Sequence, residues 1–457
     1  MERDLTTGSV TKQLVRFCLP FLLSNFLQAM YNVMDTWVVA WFAGANTVSG
    51  VANGGQITLI VMNFAIGFTI GGTVLVSQFF GAGERGELKK TIGTMFAVLS
   101  MIAVIVTALV IIFAKPILRL INTPAEAFNE AYLYLVICMS GSIFTFGYNA
   151  VAAILRGMGD SKNPLYFVLI AGIVNTLLDL PFVGLFHWGA AGDAVSTIIA
   201  QALSLFLAIR YLKKKQFVFE FKLKNFKIDR QKFRQILKIG FPSSINNTVV
   251  GLSFLMMMMM VNGFGVNASA AMGIAGKFNG LAILPAIAMS SSVSSMAAQN
   301  IGAGKFDRAR KTMYTGMVLA LPIGILFFLI AFFAPVPLFH IFTDDAPVIA
   351  EGIRYIRWFS LDYIVVAFLF CLNGLFIASG MTTVTMLNGM LSSVIIRIPV
   401  AYIFGITMQM GLLGIGLAAP VASMASLIIA ALIYRTGSWK QKRIIGNAPM
   451  IEIEDLV

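Results

Sequence analysis

Asp35 and Asp179 each stand inside a long apolar stretch of the chain. At bilayer depth an ionised carboxyl costs about 2.5 to 3.5 kcal/mol on insertion scales, so an acid kept there faces a cavity and marks an ion or proton path. Tyr31 precedes Asp35 by four residues and Asn175 precedes Asp179 by four, which puts each pair on one helical face. Asn149 and Thr197, on neighbouring spans, supply two more oxygens. Carboxylates, amides and hydroxyls are the ligands of a hard cation such as sodium, and Asp35, Asn175, Asp179 and Thr197 make the core of such a set. The same carboxyls, dried by burial, also favour the neutral acid and so could carry a proton instead. Residue types leave the two ions as alternatives.

The second half of the chain does not copy these acids. Asp179 aligns with Arg397 through the shared Leu180-Pro181 and Ile398-Pro399, and Gln56 aligns with Lys277. Asp362 is the deep acid of that half. Asp362, Lys277 and Arg397 therefore form a candidate second site for substrate or cation, against which stands a plain ion pair of Asp362 with Arg397, Lys277, Arg354 or Arg357. Asp193, in HWGAAGDAVST, falls near the outer end of its span and is read as an interfacial, wetted residue. Met256–Met260 read as lipid-facing packing, and the glycines from Gly67 to Gly72 as a place of close helix contact.

Several other chemistries lack their residues. The GAGERG of 81–86 fits a dinucleotide pattern but follows an apolar helix, not a strand. Gly276-Lys277 and Gly304-Lys305 are each followed by Phe, so no phosphate-binding loop is completed and ATP is not an evident energy source. His187 and His340 are too few for a zinc hydrolase. Cys18, Cys138 and Cys371 are odd in number and dispersed, as packing residues would be. Gly157–Asp160 reads GMGD, the pattern of intramembrane aspartyl proteases, yet it ends a span beside Arg156 and Lys162. No cofactor, no nucleic acid and no obligate protein partner is implied, and the chain is not expected to be an enzyme.

The elements that must hold these residues are membrane helices. Hydrophobic residues make up 58% of the chain and charged ones 12%, more apolar surface than a water-soluble fold of 457 residues could hide. Apolar runs near 14–43, 51–80, 91–114, 131–154, 164–186, 190–212, 236–262, 269–298, 312–334, 353–379, 384–405 and 411–434 predict twelve spans. The start of the chain has no compact apolar region with a small-residue cleavage site, so the first span is expected to be retained. Lysine and arginine number 33 against 20 acids, and they gather in every second loop, which sets both termini on the cytoplasmic side.

Those spans are written twice. QFFGAGERGELKKT, 78–91, returns as QNIGAGKFDRARKT, 299–312, with Leu19-Pro20 echoed by Phe241-Pro242 and Gly159 by Gly380. An all-α membrane protein of two six-helix bundles follows: 1–212 as a first lobe, 213–235 as a basic cytoplasmic linker, 236–434 as a second lobe and 435–457 as a cytoplasmic tail. An even number of spans in each half makes the repeats parallel, related by an axis along the membrane normal. The linker, FVFEFKLKNFKI, reads as a solvated segment skimming anionic headgroups.

YNVMDTWVVAWF in the first span, the loops at Gln78–Gly83 and Gln299–Gly304, LRGMGDSKNP, NTLLDLPF and WGAAGDAVST together resemble the multidrug and toxic compound extrusion (MATE) transporters, in their bacterial DinF- and MepA-like branch. The resemblance covers nearly the whole chain. It implies an inner-membrane antiporter exporting organic, cationic compounds in exchange for protons or sodium ions by alternating access, with the cation site at Asp35, Asp179, Asn175 and Thr197 and weaker matches at Tyr31 and Asn149. Helix 7 of some members carries an acid that INNTVVGLSF lacks, so a sodium site at Asp362 is not implied. A lipid-linked glycan flippase of the related superfamily is the alternative that Lys277 and Arg397 keep open, and the aspartyl protease is a remote one.

Overall fold

A computed structural model describes residues 3–214, 217–222, 225–441 and 444. The predicted tail therefore lies largely outside the described residues, as do Lys215, Gln216, Leu223 and Lys224 of the predicted linker. Among the described residues the regular structure is helical throughout. The first half runs α1 (Val10–Phe42), α2 (Gly44–Gly81), α3 (Arg85–Leu120), α4 (Phe128–Ser140), α5 (Ser142–Gly157), α6 (Lys162–Asp179) and α7 (Gly189–Lys214). The second runs α8 (Arg230–Asn262), α9 (Val266–Gly302), α10 (Phe306–Phe333), α11 (Pro335–His340), α12 (Ala346–Phe359), α13 (Leu361–Ala378), α14 (Thr382–Met390), α15 (Ile398–Val400), α16 (Leu412–Arg435) and α17 (Ser438–Gln441).

Eleven of these stretches are long and apolar enough to cross a membrane, and the pair Ala125–Ser140 with Ser142–Gly157, bent by 49°, makes the twelfth. The twelve predicted spans are thus found, one of them broken at Gly141. The duplication is visible in the elements: α1 and α8 have 33 residues each with Pro20 and Pro242 inside, and α2 and α9 have 38 and 37. Pro181 lies in looser, π-type winding over Leu180–Leu185, and Pro399 lies in the short α15 between two such stretches, Leu391–Arg397 and Ala401–Thr407. A proline has no N–H to give the carbonyl one turn before it, and in this winding the Phe186 N–H donates five residues back, to the Pro181 carbonyl at 2.8 Å.

The chain divides into two compact units whose borders do not fall in the linker. One unit holds Leu19–Val76 and Glu84–Ser244; the other holds Asp4–Cys18, Ser77–Gly83 and the described residues of Ile245–Val457. The passages from one unit to the other therefore lie inside α1, α2 and α8, and in the short segments before α1 and between α2 and α3.

Within the first unit the described part of the linker is packed down, contrary to its reading as a solvated segment. Phe219, Phe221 and Phe226 place their rings 6.2, 5.6 and 5.7 Å from that of Phe96 on α3. Thr94 accepts the Asp229 N–H at 3.0 Å, and the Lys232 ammonium, 3% exposed, meets Glu87 at 2.7 Å. The alternation of apolar and charged residues marks one face turned to α3 and one to solvent. Gly67 and Gly71 of α2 let the start of α8 approach so closely that an added Cβ would meet Ser244 Oγ at 2.0 Å and the Ile236 carbonyl at 2.8 Å.

Within the second unit the N-terminal segment is clasped by the repeated loop. Leu5 is fully buried and its N–H donates to Gln299 Oε1 at 3.0 Å. Arg308 donates to the carbonyls of Thr7 and Gly8 at 2.6 and 2.7 Å, and Lys305 to that of Thr6 at 3.0 Å. The two copies of the loop interlock: a Cβ on Gly81 would stand 2.0 Å from the Gln299 carbonyl oxygen, and one on Gly302 2.0 Å from that of Gln78. Of the methionine run, Met257 is buried in the core with Met258 and Met260 against it, while Met256 and Met259 are exposed on the apolar outer face.

Candidate functional site

The first unit gathers its polar groups on α1, α6 and α7. Asp179 is fully buried at the end of α6 and accepts a short hydrogen bond from the Ser196 hydroxyl of α7. One turn earlier Asn175, 2% exposed, donates through Nδ2 to Ser196 at 3.4 Å and Thr197 at 3.3 Å. Asp35 of α1, half-buried, interacts with both Asn175 and Asp179. The predicted quartet Asp35, Asn175, Asp179 and Thr197 is therefore brought together. Tyr31 lies close enough to Asp35 to feel its charge and packs its Cβ against Gly172 of α6. Asn149 does not join: it is half-buried on α5, and among the described residues no hydrogen bond links it to the acids.

Asp193 corrects the sequence reading. Instead of being wetted at an interface it is fully buried, and one oxygen each of Asp35, Asp179 and Asp193 lie within 4.8 Å of one another. Its span begins with Gly189 and is capped by Glu130 of α4, whose carboxylate accepts the Ala190 N–H at 2.8 Å, so the first turn is held down and not frayed into the interface. Tyr134 and Cys138 of α4 pack over the same turn with Ala190 and Ala194. A signal existed: Asp193 stands four residues before Thr197, the same spacing that pairs Asn175 with Asp179.

The second unit holds a different arrangement. Arg397, 6% exposed, donates to Ser253 Oγ at 3.1 Å and lies 4.7 Å from the centre of the Phe254 ring. Asp362, also 6% exposed, feels the charge of Arg397 and hydrogen-bonds Ser423, but the two form no direct ion pair. Lys277 is elsewhere, exposed, with its ammonium 5.5 Å from the Phe342 ring centre, so the predicted trio is not assembled. Arg354 pairs with Glu351 at 3.2 Å and Arg357 donates to the Phe332 carbonyl at 3.1 Å, which leaves Arg397 to balance Asp362. The protease-like Asp160 is engaged structurally: its carboxylate accepts the N–H groups of Lys162 and Asn163 at 3.1 and 3.2 Å and starts α6. The three cysteines are buried and free.

Comparison with known proteins decides the family. Residues 20–180 and 242–403 each match the family model described as MatE, one match per repeat and together well over half of the chain. The chain belongs to the MatE family. The MatE match stops at residue 180 in the first repeat, so Asp193, Ser196 and Thr197 lie beyond it. Its relatives include the probable multidrug resistance protein YpnP of Bacillus subtilis, 29% identical over 96% of this chain and 98% of that one. They also include the probable multidrug resistance protein NorM of Thermotoga maritima, 27% identical over 97% and 96%. The fold is that of MATE crystal structures, including one in the bent conformation, with a TM-score of 0.89 at 20% identity over 96% of this chain and 98% of that one. The MatE chain is thus a multi-span membrane transporter, as the sequence resemblance implied.

Proposed function

We propose that this chain is a multidrug efflux antiporter of the cytoplasmic membrane, both termini cytoplasmic, which exports organic cationic compounds while protons or sodium ions return through the first unit. The observation that carries this reading is the meeting of half-buried Asp35 with fully buried Asp179 on α1 and α6, with Asn175 and Thr197 beside them and no lysine or arginine among the described residues paired to them. Buried acids without a fixed counter-charge need a mobile one. Exchange follows if ion and drug favour opposite orientations of the two repeats, since a ligand shifts a conformational equilibrium only by its differential affinity. An inward unit charge at about 150 mV releases about 3.5 kcal/mol, which fixes the scale of the drug gradient it can sustain. That the named relatives are multidrug resistance proteins supports the substrate class.

The reading is tested with Asp35→Asn and Asp179→Asn, following ethidium efflux from cells and drug-evoked ion flux in proteoliposomes under separately imposed sodium and pH gradients. Each variant is expected to lose coupled flux about tenfold or more, equivalent to at least about 1.4 kcal/mol of transition-state or binding energy. Full coupled flux in both would remove the reading.

A further inference from the structure

One face of α10 changes character in order along its length. Arg310, Lys311, Tyr314, Thr315, Val318 and Leu319 recur at steps of three and four residues, so they share that face. Within the second unit they line an open groove of about 620 Å³, with Thr11 at the start of α1 across from them and Asp307 at the mouth. Charge gives way to hydroxyls, and hydroxyls to hydrocarbon. Arg310 and Asp307 stand 3.4 Å apart, both exposed, a pairing too weak to hold the guanidinium from a better partner. Lys311 is exposed and enters no ion pair among the described residues.

The aromatic groups beside this face set its depth. Tyr314 meets Tyr434 of α16 edge-on at 6.3 Å, and Tyr434 stacks at 6.0 Å on the buried Trp439 of α17. Tyrosine and tryptophan gather at the headgroup level of a bilayer. A helix rises about 5.4 Å per turn, comparable with a headgroup layer of about 5 to 7 Å. With Tyr314 at that level, Arg310 and Lys311 one turn outward face the phosphates, and Val318 and Leu319 one turn inward face the acyl chains.

The first repeat shows the same face when protein covers it. By the repeated segment, Lys89, Lys90, Gly93 and Thr94 of α3 correspond to Arg310, Lys311, Tyr314 and Thr315. There the linker lies on the helix: a Cβ on Gly93 would stand 2.5 Å from the Asn225 carbonyl oxygen, and Thr94 donates to the Lys227 carbonyl at 3.3 Å. Glycine permits a backbone to come that close. On α10 the ring of Tyr314 stands where that backbone would lie, and the groove beside it suits a thinner occupant with no backbone, such as an acyl chain. Two cations against one acid favour a headgroup of net negative charge. A guanidinium fork with an ammonium beside it matches phosphate oxygens.

We propose that this groove binds one anionic phospholipid, with its phosphodiester on Arg310 and Lys311 and an acyl chain along Val318 and Leu319.

The experiment titrates the purified full-length protein in detergent with phosphatidylglycerol or phosphatidylethanolamine and counts bound lipid by native mass spectrometry. The expected result is one phosphatidylglycerol per chain, held more tightly than phosphatidylethanolamine. Arg310→Gln combined with Lys311→Gln should weaken it about thirtyfold, each cation near an anionic headgroup contributing about fivefold. Val318→Trp, which fills the apolar end and keeps both cations, should also weaken it. Lys89→Gln combined with Lys90→Gln removes the corresponding charges from the covered face of α3 and should leave the affinity unchanged. Equal losses in the two double variants would reveal only the general attraction of a basic surface, and equal affinity for the two lipids would remove the charge selection; either result overturns the proposal. Displacement of the lipid by glycerol phosphate would overturn it in favour of a free phosphate ester. Binding that appears only when the chain is shortened to end at Gln441 would overturn it in favour of the tail as occupant.

Discussion

Arg397 shows how far the two repeats have diverged at a single residue. It occupies the place of Asp179 in the aligned sequence, beside the matching proline, yet it carries the opposite charge into a buried setting. With Ser253 as its hydrogen-bond partner and Phe254 against its guanidinium, it faces Asp362 without touching it. Removing it leaves Asp362 and its unpartnered Oδ1 buried with no counter-charge. Arg397→Met should therefore destabilise the second unit by about 3 kcal/mol, in the range seen when one member of a buried charge pair is deleted. Adding Asp362→Asn should recover a good part of that loss. Thermal unfolding of the two variants and their combination in detergent measures the coupling; strictly additive losses would show that the two charges do not depend on one another.

At the scale of elements, the repeated loop does more than mark the duplication. Gln78–Gly83 ends α2 and Gln299–Gly304 ends α9, and each presents a glycine to the other's backbone. Here a methyl group would stand 2.0 Å from a carbonyl oxygen of a helix, which cannot swing aside as a side-chain tip would. Gly302→Ala is thus expected to destabilise the protein by about 1 to 3 kcal/mol, the cost of overpacking a filled contact, with Gly81→Ala similar. Gly86, which meets nothing within 4 Å, serves as the control: Gly86→Ala should leave the unfolding midpoint close to that of the wild type. An equal shift in Gly302→Ala and Gly86→Ala would argue against the contact.

The whole molecule is not cut where its linker suggests. Asp4–Cys18 belongs to the second unit although it begins the first repeat, and the start of α8 up to Ser244 belongs to the first. Each unit accordingly contains a piece of the other repeat's first span. Two fragments separated in the linker, 1–222 and 225–457, should each fail to fold alone, because each would lack an element that its compact unit buries, Leu5 being the clearest case. Expressed together they should reassemble into a transport-competent protein, since the linker itself carries none of the proposed coupling residues. Resistance to proteolysis of either fragment by itself would contradict this exchange of elements.

How much of this was readable before folding can be judged from particular residues. The twelve spans, the duplication, and the sharing of one helical face by Tyr31 with Asp35 and by Asn175 with Asp179 follow from the chain, because apolar length and the four-residue helical spacing are local properties, whereas the grouping of Asp35 with Asp179, Asn175 and Thr197 was implied by the resemblance to MATE transporters. Asp193, the packed linker and the exchanged helix ends did not follow. In a membrane the lipid-facing and protein-facing sides of a helix are both apolar, so the pattern that tells inside from outside in a soluble helix is weak. Whether Asp193 meets water or two other acids depends on how α7 is turned against α1 and α6, and whether Phe96 waits for lipid or for Phe219, Phe221 and Phe226 depends on a contact more than a hundred residues away in sequence. Tertiary packing alone decided those rotations.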